Sequence, residues 1–506
     1  MSQLSHRIRS VALLAAFLLT AFTTHATHAA PLSAGAAKID ISSETVPFNN
    51  DTLHARALVL REGETTVVIV SVDVVAIGEI GPIGNEYLGQ VRSALQKDLG
   101  IEPRNVMINA SHCHGLVCKD VAARTVKVVK EAMRKVEPVT VGVGTGQEDR
   151  IMANRRLRLA NGREADVRHA YSLPADAEVV GVGPIDPEIG ILRLDRKNGE
   201  TLAVVYQFAC HPIQGVPNGG NTADITGFSS KVIEENMSEG TIALFLQGCG
   251  GDINPARYKD VDSPRDAEPL GNMLGLSTLR GLRKIKTNAN GSLKWINETI
   301  KLPRADYTDR LDQLDVEQDR LLRSLRGTSL NLKTYLPLAV KYNLSREFPS
   351  FYSHRYMHEK MVGRENLRHL DAENQRNMAA YTRNIITMEK LTRLQTNIRL
   401  LTKNQAKNVA SGERTIDTEV VGLRVGNFVL ITFPGELTVD IGLGIKKRSP
   451  HAHTFVSGYT NGYIYYTPTA EQLKNVGGAQ EDSDCLVAPE WQAIFEKKVA
   501  EVLKRL

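Results

Sequence analysis

The sequence has few of the residues that build cross-linked or membrane-spanning proteins. Only five of its 506 residues are cysteine and 6% are aromatic. Five cysteines permit at most two disulfides with one thiol left over, which excludes a disulfide-stapled scaffold, and the absence of a CxxC pair argues against a zinc ribbon. After the first thirty residues, no apolar run approaches the ~18 residues that a membrane-spanning helix needs.

An excess of charge of one sign is also missing. The chain has 62 Lys and Arg against 57 Asp and Glu, which gives a net charge of +5. No run of basic residues is interleaved with aromatic ones, as a surface that follows a phosphate backbone would require, so we expect no nucleic-acid partner. The hydrophobic share of 42% and the charged share of 24% are typical of a globular protein.

Residues 1–30 are predicted to be a signal peptide. Arg7 and Arg9 form its positive region, residues 11–22 its apolar segment, and residues 27–29 a small-residue cleavage site. The apolar segment makes a helix of about 18 Å, too short for the ~30 Å hydrocarbon core that an uncleaved anchor would cross. We therefore expect a secreted or periplasmic chain that begins near Ala30.

The remaining sequence, residues 31–506, predicts a single α/β domain with a mixed sheet. Strand-like apolar runs alternate with helical periodicity, as over residues 121–133, and an Asn-Gly turn at residues 198–199 predicts a hairpin. A helix is predicted for residues 490–506. Between about residue 303 and residue 411, long stretches without Gly or Pro and apolar residues at steps of three or four predict a helical insertion, for which plain packing is favoured over function.

Two histidines lie where a predicted strand, residues 106–110, ends. They are His112 and His114, on either side of Cys113. In an extended chain alternate side chains point the same way, so the two histidines would share one face while the cysteine points away. Such a pair can offer two imidazoles to one cavity, although a histidine is also often structural.

Further motifs follow other strand-like runs. They are Ala209-Cys210-His211-Pro212, Gly251-Asp252-Ile253-Asn254-Pro255, Gly435-Glu436 and the tyrosine-rich residues 459–466. Glycines permit close approach of backbones, and a tyrosine cluster is typical of a pocket wall or of ordinary packing. Without a GxxxxGK[ST] or a GxGxxG pattern, a nucleotide site has little support.

In this order, and together with Asn154-Arg155 and Asn461-Gly462-Tyr463, the motifs resemble the catalytic region of the neutral/alkaline, non-lysosomal ceramidases. The resemblance runs from about residue 34 to residue 485 and covers the helical region only loosely. It implies a zinc hydrolase domain in which His114 and Arg155 face the site. The metal ligands that it implies are His112, His211, Glu436 and Tyr463. Two imidazoles and a carboxylate are an ordinary catalytic zinc set.

The chain departs from the family pattern in two places. Where the family has a serine before the proline of its Gly-Asp motif, treated as catalytic, this chain has Asn254. The family's C-terminal immunoglobulin-like domain is also expected to be absent, because only 21 residues follow Cys485. Both departures favour a substrate other than ceramide itself.

The resulting prediction is a secreted hydrolase that cleaves an amide (N-acyl) bond with zinc-activated water, His114 shuttling protons and Asn254 donating to the oxyanion. Three alternatives stay open: a zinc-containing binding protein without turnover, a hydrolase of an ester or sugar derivative, and a site that uses Cys113 or Cys249 as a thiolate. A small-molecule or lipid-like amide is the expected substrate. No stable membrane association is expected, because residues 446–448 are the only basic stretch that stands out.

Overall fold

The computed structural model describes residues 31–46, 49–167, 173–215, 220–258, 260–262, 264–349, 353–475 and 478–506. The predicted signal peptide lies outside the described residues. Within these ranges, no helix combines the length and the apolar character needed to cross a membrane.

The described residues form nineteen strands and ten α-helices. The strands are β1 (Ser33–Asp40), β2 (His54–Glu62), β3 (Thr65–Val72), β4 (Val106–Ala110), β5 (Glu137–Gln147), β6 (Met152–Asn154), β7 (Arg156–Leu159), β8 (Glu164–Asp166), β9 (Val179–Val182), β10 (Glu188–Arg196), β11 (Thr201–Phe208), β12 (Ile242–Gln247), β13 (Ile253–Pro255), β14 (Leu293–Pro303), β15 (Thr415–Val425), β16 (Phe428–Thr432), β17 (Glu436–Leu437), β18 (His453–Ser457) and β19 (Tyr466–Thr467). The helices are α1 (Tyr87–Leu99), α2 (Val121–Arg134), α3 (Asp224–Asn236), α4 (Glu268–Leu282), α5 (Thr308–Ser324), α6 (Leu332–Leu344), α7 (Ser353–Met361), α8 (Asn366–Ala410), α9 (Val439–Arg448) and α10 (Trp491–Arg505).

The largest sheet has eight strands in the order β12-β11-β10-β5-β1-β2-β3-β4. Neighbours are antiparallel except for the parallel pairs β3–β4 and β11–β12. The two ends of this order approach each other: the Ser71 hydroxyl of β3 donates to the Phe245 carbonyl of β12 at 2.6 Å, and the Gln247 amide of β12 donates to the Asn109 side chain of β4 at 3.0 Å. The sheet is therefore curled.

A four-stranded sheet, in the order β14-β15-β16-β18, packs inside the curl. Leu58 and Leu60 of β2 share one core with Leu423 of β15 and Phe428 of β16. The outer faces are covered by helices: α1 and α2 over β2 and β3, α3 and α4 over β10–β12, and α9 and α10 over the second sheet. Because successive strand residues point to opposite faces, and each sheet packs against the other sheet on one side and against helices on the other, both faces of each sheet contribute to a core. The predicted mixed α/β fold is confirmed.

The helical insertion consists of α5 to α8 and lies between β14 and β15. These two strands pair in register from Leu293↔Val425 to Pro303↔Thr415, so the chain leaves and re-enters the sheet at opposed residues. We call α5 to α8 the arm. Its longest helix, α8, has 45 residues, which corresponds to about 68 Å. α5 packs along α8 through an apolar cluster.

Candidate metal centre

Three buried side chains converge where strands of the two sheets end: His112, His211 and Glu436 have ligand atoms that all lie within 4.8 Å of one another. His112 follows β4, His211 follows β11, and Glu436 begins β17 just after β16. The strands β4 and β11 stand near opposite ends of the sheet order. The curl of the large sheet therefore brings the two histidines together, and β17, which follows β16 in the chain and pairs with β19, supplies the carboxylate.

The tautomer of each histidine is fixed by a backbone carbonyl. His112 Nδ1 lies 2.5 Å from the Val75 oxygen, and His211 Nδ1 lies 3.1 Å from the Ile253 oxygen. Since a carbonyl only accepts, each Nδ1 carries a proton, and each Nε2 is left to face the carboxylate or a metal ion. The two Nε2 atoms lie 3.5 Å and 3.1 Å from the same oxygen of Glu436. Burial, helped by the nearby Arg155, lowers the pKa of His211 to about 3, so its imidazole is neutral.

This group fits a metal ion. Burial alone would raise the pKa of Glu436, but the two histidines outweigh that effect and hold the pKa well below its usual value. Two imidazoles and a carboxylate are a ligand set that zinc commonly takes, and three protein ligands are typical of catalytic zinc sites. The carbonyls that orient His112 and His211 are the outer-shell partners that metal-binding histidines usually have.

Two tyrosine hydroxyls donate to the same carboxylate. The Tyr463 hydroxyl donates to Oε1 of Glu436, and the Tyr459 hydroxyl donates to Oε2 at 3.2 Å. Burial, together with the negative charge of Glu436, raises the pKa of both phenols well above its usual value, so both keep their protons. The structure thus places Tyr463 on the carboxylate of a candidate ligand, and its role as a fourth metal ligand stays a prediction.

The loop that carries these tyrosines is fastened to β4. Asn461 donates from its backbone to the Ile108 carbonyl at 2.9 Å, and its side-chain oxygen accepts from the Ile108 amide at 2.8 Å. Tyr459, Asn461 and Tyr465 have φ angles of 54°, 59° and 64°, a region that residues other than glycine seldom occupy. The bonds to β4 hold this strained loop in place, with the Tyr459 ring centre 4.3 Å from that of His112.

The extended conformation expected for the two-histidine stretch is wrong at His112. Its φ angle is 70°, and its backbone amide donates to the Val74 carbonyl at 2.9 Å, so the chain turns there. As a result His112 and Cys113 are both buried, whereas His114 is exposed with its ring centre 5.7 Å from that of His112. His114 therefore lies beside the candidate centre and in reach of solvent, a position that suits the predicted proton shuttle.

Arg155 is buried, and all three of its guanidinium nitrogens are bonded to protein. Nε donates to Glu481 at 2.6 Å, one terminal nitrogen donates to Asn254 Oδ1 at 2.8 Å, and the other donates to the Gly251 carbonyl. The guanidinium also lies over the Tyr466 ring, 5.6 Å from its centre. Arg155 thus holds neighbouring groups of the site in position.

Asn254 is oriented by this contact. A guanidinium only donates, so the side-chain oxygen of Asn254 faces Arg155, and the two N–H groups of the amide are left to donate elsewhere. Asn254 directly follows Ile253, whose carbonyl accepts both the backbone amide and Nδ1 of His211. Asn254, which the resemblance places at the position of the family's serine, therefore directly follows the residue whose carbonyl orients His211.

Sequence reasoning missed two buried acids, Glu481 and Asp482. Glu481 pairs with Arg155, and Asp482 accepts from Arg156 at 2.5 Å. Burial raises the pKa of Asp482 to about 6, against the lowering effect of Arg156. A short acidic run is usually a solvated segment. The only sequence signal for its burial was a pair of consecutive arginines, Arg155-Arg156, which lies 326 positions earlier in the chain.

Gly251 allows two backbones to touch. Its amide donates to the Leu437 carbonyl at 2.9 Å, and a Cβ at this position would lie 2.6 Å from the Glu436 oxygen and 2.8 Å from the Leu437 oxygen. The glycine-rich loop therefore packs against β17, which carries Glu436.

We expect Gly251→Ala to lower the free energy of unfolding by about 1–3 kcal/mol, because the added methyl group pushes against β17. Gly89→Ala in α1 is the matched control, since its Cβ meets no atom within 4 Å, and alanine is favoured over glycine in a helix by about 0.5–1 kcal/mol. Urea unfolding measures both. Equal stability of the two variants would contradict the close approach at Gly251.

All five cysteines are buried and free. Burial raises the pKa of the Cys113 and Cys249 thiols well above the usual value. The thiolate is the nucleophilic form, so a buried and protonated thiol reacts poorly. The alternative that uses one of these cysteines as a nucleophile therefore loses support.

No protein-family profile and no curated protein matches the sequence. Among solved structures, the neutral ceramidase from Pseudomonas aeruginosa matches with a TM-score of 0.58 and 16% identity, over 94% of this chain and 75% of that chain. A ceramidase complexed with C2 matches with a TM-score of 0.59 and 15% identity, over 94% and 76% of the two chains. The resemblance predicted from the motifs is thereby confirmed in the architecture: this chain has the fold of the neutral ceramidases.

Proposed function

We propose that the protein is a zinc-dependent hydrolase that cleaves an amide (N-acyl) bond in a ceramidase-like reaction. The observation that carries the proposal is the buried group of His112, His211 and Glu436 at the strand ends of a ceramidase fold. The structural neighbours favour a lipid-like amide as the substrate class. A secreted or periplasmic location, predicted from residues 1–30, belongs to the same proposal.

Zinc held by these three residues supplies a Lewis acid that polarises an acyl carbonyl and makes water nucleophilic near neutral pH. Other residues of the chain orient the three candidate ligands. The carbonyls of Val75 and Ile253 fix the two imidazoles, and the hydroxyls of Tyr459 and Tyr463 fix the Glu436 carboxylate. Because these donors are held before substrate arrives, the site needs little rearrangement to bind the ion.

Two side chains would transfer the proton of the attacking water and stabilise the negative charge that develops on the acyl oxygen. His114 is exposed beside His112, and an imidazole in that position can take a proton from water and pass it to the leaving nitrogen. The amide N–H groups of Asn254 donate to the oxygen that becomes negative. The hydrogen bond from Arg155 holds the Asn254 side-chain oxygen, which leaves the amide nitrogen as the group that would donate in this role.

Asn254→Ala is expected to slow turnover by about 10²- to 10³-fold, because a donor to the oxyanion is lost. Asn198→Ala, in an exposed turn, is the control and should leave kcat unchanged. The kcat, KM and zinc content of each variant are measured on the best amide substrate. An unchanged kcat for Asn254→Ala would reduce this residue to a structural role. Asn254→Ser restores the family's hydroxyl, and ceramide hydrolysis by that variant would show that the pocket accepts ceramide.

The deciding experiment is metal analysis of the purified protein, followed by a screen against N-acyl amides, esters and glycosides with and without a chelator. Chelator-sensitive amide cleavage would support the proposal. Cleavage of esters or glycosides alone would mean that the same centre hydrolyses one of those bonds and not an amide. Stoichiometric zinc with no turnover of any class would favour a zinc-containing binding protein instead.

A further inference from the structure

The outer face of α6 is apolar and exposed. Leu332, Leu336, Val340 and Leu344 recur every fourth residue, and each is between 52% and 82% exposed. Tyr342 lies on the other side of this helix, where it is buried. Residues four apart lie on one face of a helix, so the four side chains form a continuous stripe along α6.

The neighbouring helix α7 extends this surface. Met357 and Met361 are 60% and 76% exposed, whereas Tyr356 is buried. Tyr342 of α6 and Tyr356 of α7 both donate to Asp371 of α8 at 2.8 Å, so the two helices meet α8 at one point. Of nineteen large hydrophobic side chains that are exposed among the described residues, eight lie between residues 332 and 370. We call residues 331–349 and 353–370 the arm tip.

The arm tip is also basic. It contains seven Lys and Arg and three Glu, a net charge of +4, whereas the whole chain carries +5. The exposed basic residues are Lys333, Arg346, Arg355, Lys360, Arg364 and Arg368. Asp371, just beyond the tip, is buried and bonded to two tyrosines. A net positive charge therefore lies beside the apolar stripe.

We propose that the arm tip docks onto an anionic lipid bilayer. A helix with an apolar face and Lys or Arg beside it lies in the interfacial plane, where the apolar side chains enter the acyl boundary and the cations meet anionic headgroups. α6 has 13 residues, roughly 20 Å of helix, so it lies in the interface and does not span it. A second copy of this chain fits less well, because two arm tips would bring like charges together.

This surface exists only in the folded chain. α6 itself contains only two basic residues, Lys333 and Lys341, and the other cations come from α7, from the segments beside it and from the start of α8. The proposal therefore replaces the expectation, drawn from the sequence, that no docking surface exists. It does not rest on the proposed function, because it needs neither zinc nor turnover.

The arm separates the docking surface from the candidate centre. Lys407 of α8 donates to the Tyr465 hydroxyl at 2.6 Å, and the Tyr465 ring lies 5.2 Å from that of Tyr463. From Asp371 to Lys407 the helix is continuous, and its 36 residues correspond to about 54 Å. The docking surface and the candidate centre therefore lie at opposite ends of this helix.

The test is flotation of the full protein with vesicles of phosphatidylcholine alone and of phosphatidylcholine mixed equally with phosphatidylglycerol. We expect binding to the anionic vesicles at low salt, weak binding to the neutral ones, and loss of binding as salt screens the charges. The double variant Leu336→Gln/Val340→Gln should bind anionic vesicles at least about tenfold more weakly than the parent, because two apolar side chains are lost from the interface.

Val180→Gln/Val182→Gln on β9 is the matched control, because these side chains are 66% and 58% exposed but lie outside the arm. It should bind vesicles as the parent does, and thermal unfolding should show both double variants folded. Absence of parent binding to anionic vesicles, or equal binding by the α6 variant, would overturn the proposal. A parent dimer in sedimentation velocity that becomes monomeric in the α6 variant, without vesicle binding, would assign the surface to self-association.

Discussion

We expect one zinc per chain in the purified parent and far less than one in His112→Ala and in His211→Ala. Each substitution removes one of three candidate ligands from a buried site, and loss of an outer-shell partner alone costs about 10- to 100-fold in metal affinity. Metal analysis after dialysis measures the loss. Added zinc should raise the Tm of the metal-free parent through linkage and leave the Tm of both variants unchanged.

His114→Ala is the matched control, because His114 is exposed and lies only two residues from His112. It should keep its zinc and lose turnover, since the predicted proton shuttle is removed while the three ligands remain. Stoichiometric zinc in both His112→Ala and His211→Ala would remove the metal assignment altogether.

Arg155→Met should lower the free energy of unfolding by about 3–5 kcal/mol, because it takes the closest cation from a buried carboxylate. Glu481 accepts from Arg155 at 2.6 Å and both side chains are buried. Turnover should fall as well, because the Asn254 side-chain oxygen loses the donor that orients it. Urea unfolding and steady-state kinetics measure the two effects separately.

A double variant separates the structural role of Arg155 from its role in positioning Asn254. In Arg155→Met/Glu481→Gln the buried charge is removed with its partner, so part of the lost stability should return. Turnover should stay low, because nothing restores the orientation of Asn254. A double variant with both stability and turnover recovered would confine Arg155 to stabilising the fold, and an Arg155→Met protein as stable as the parent would contradict the buried pair.

Elements with a strong local pattern could be predicted from the sequence. The helix predicted for residues 121–133 is α2, Val121–Arg134, and the one predicted for residues 490–506 is α10, Trp491–Arg505. The Asn-Gly turn joins β10 and β11 as expected. Periodicity and turn chemistry are local, so a single stretch of chain is enough to specify them.

Features that depend on distant contacts could not be predicted. The curl of the large sheet rests on bonds such as that from Ser71 to Phe245, 174 positions apart. The turn at His112 depends on Val74 in another segment, and the burial of Glu481 depends on Arg155. The three candidate ligands were predicted from the order of the motifs and the family resemblance. The atoms that orient these ligands could be identified only in the structure.

The five free cysteines mean that no covalent cross-link contributes to the native state. Its stability rests on the packed cores, so the oxidation state of the surroundings does not decide whether the chain folds. Thiols that are buried with raised pKa values also compete poorly with the histidines for zinc. Production in a reducing host, with a thiol reductant present throughout purification, therefore needs no oxidative refolding step.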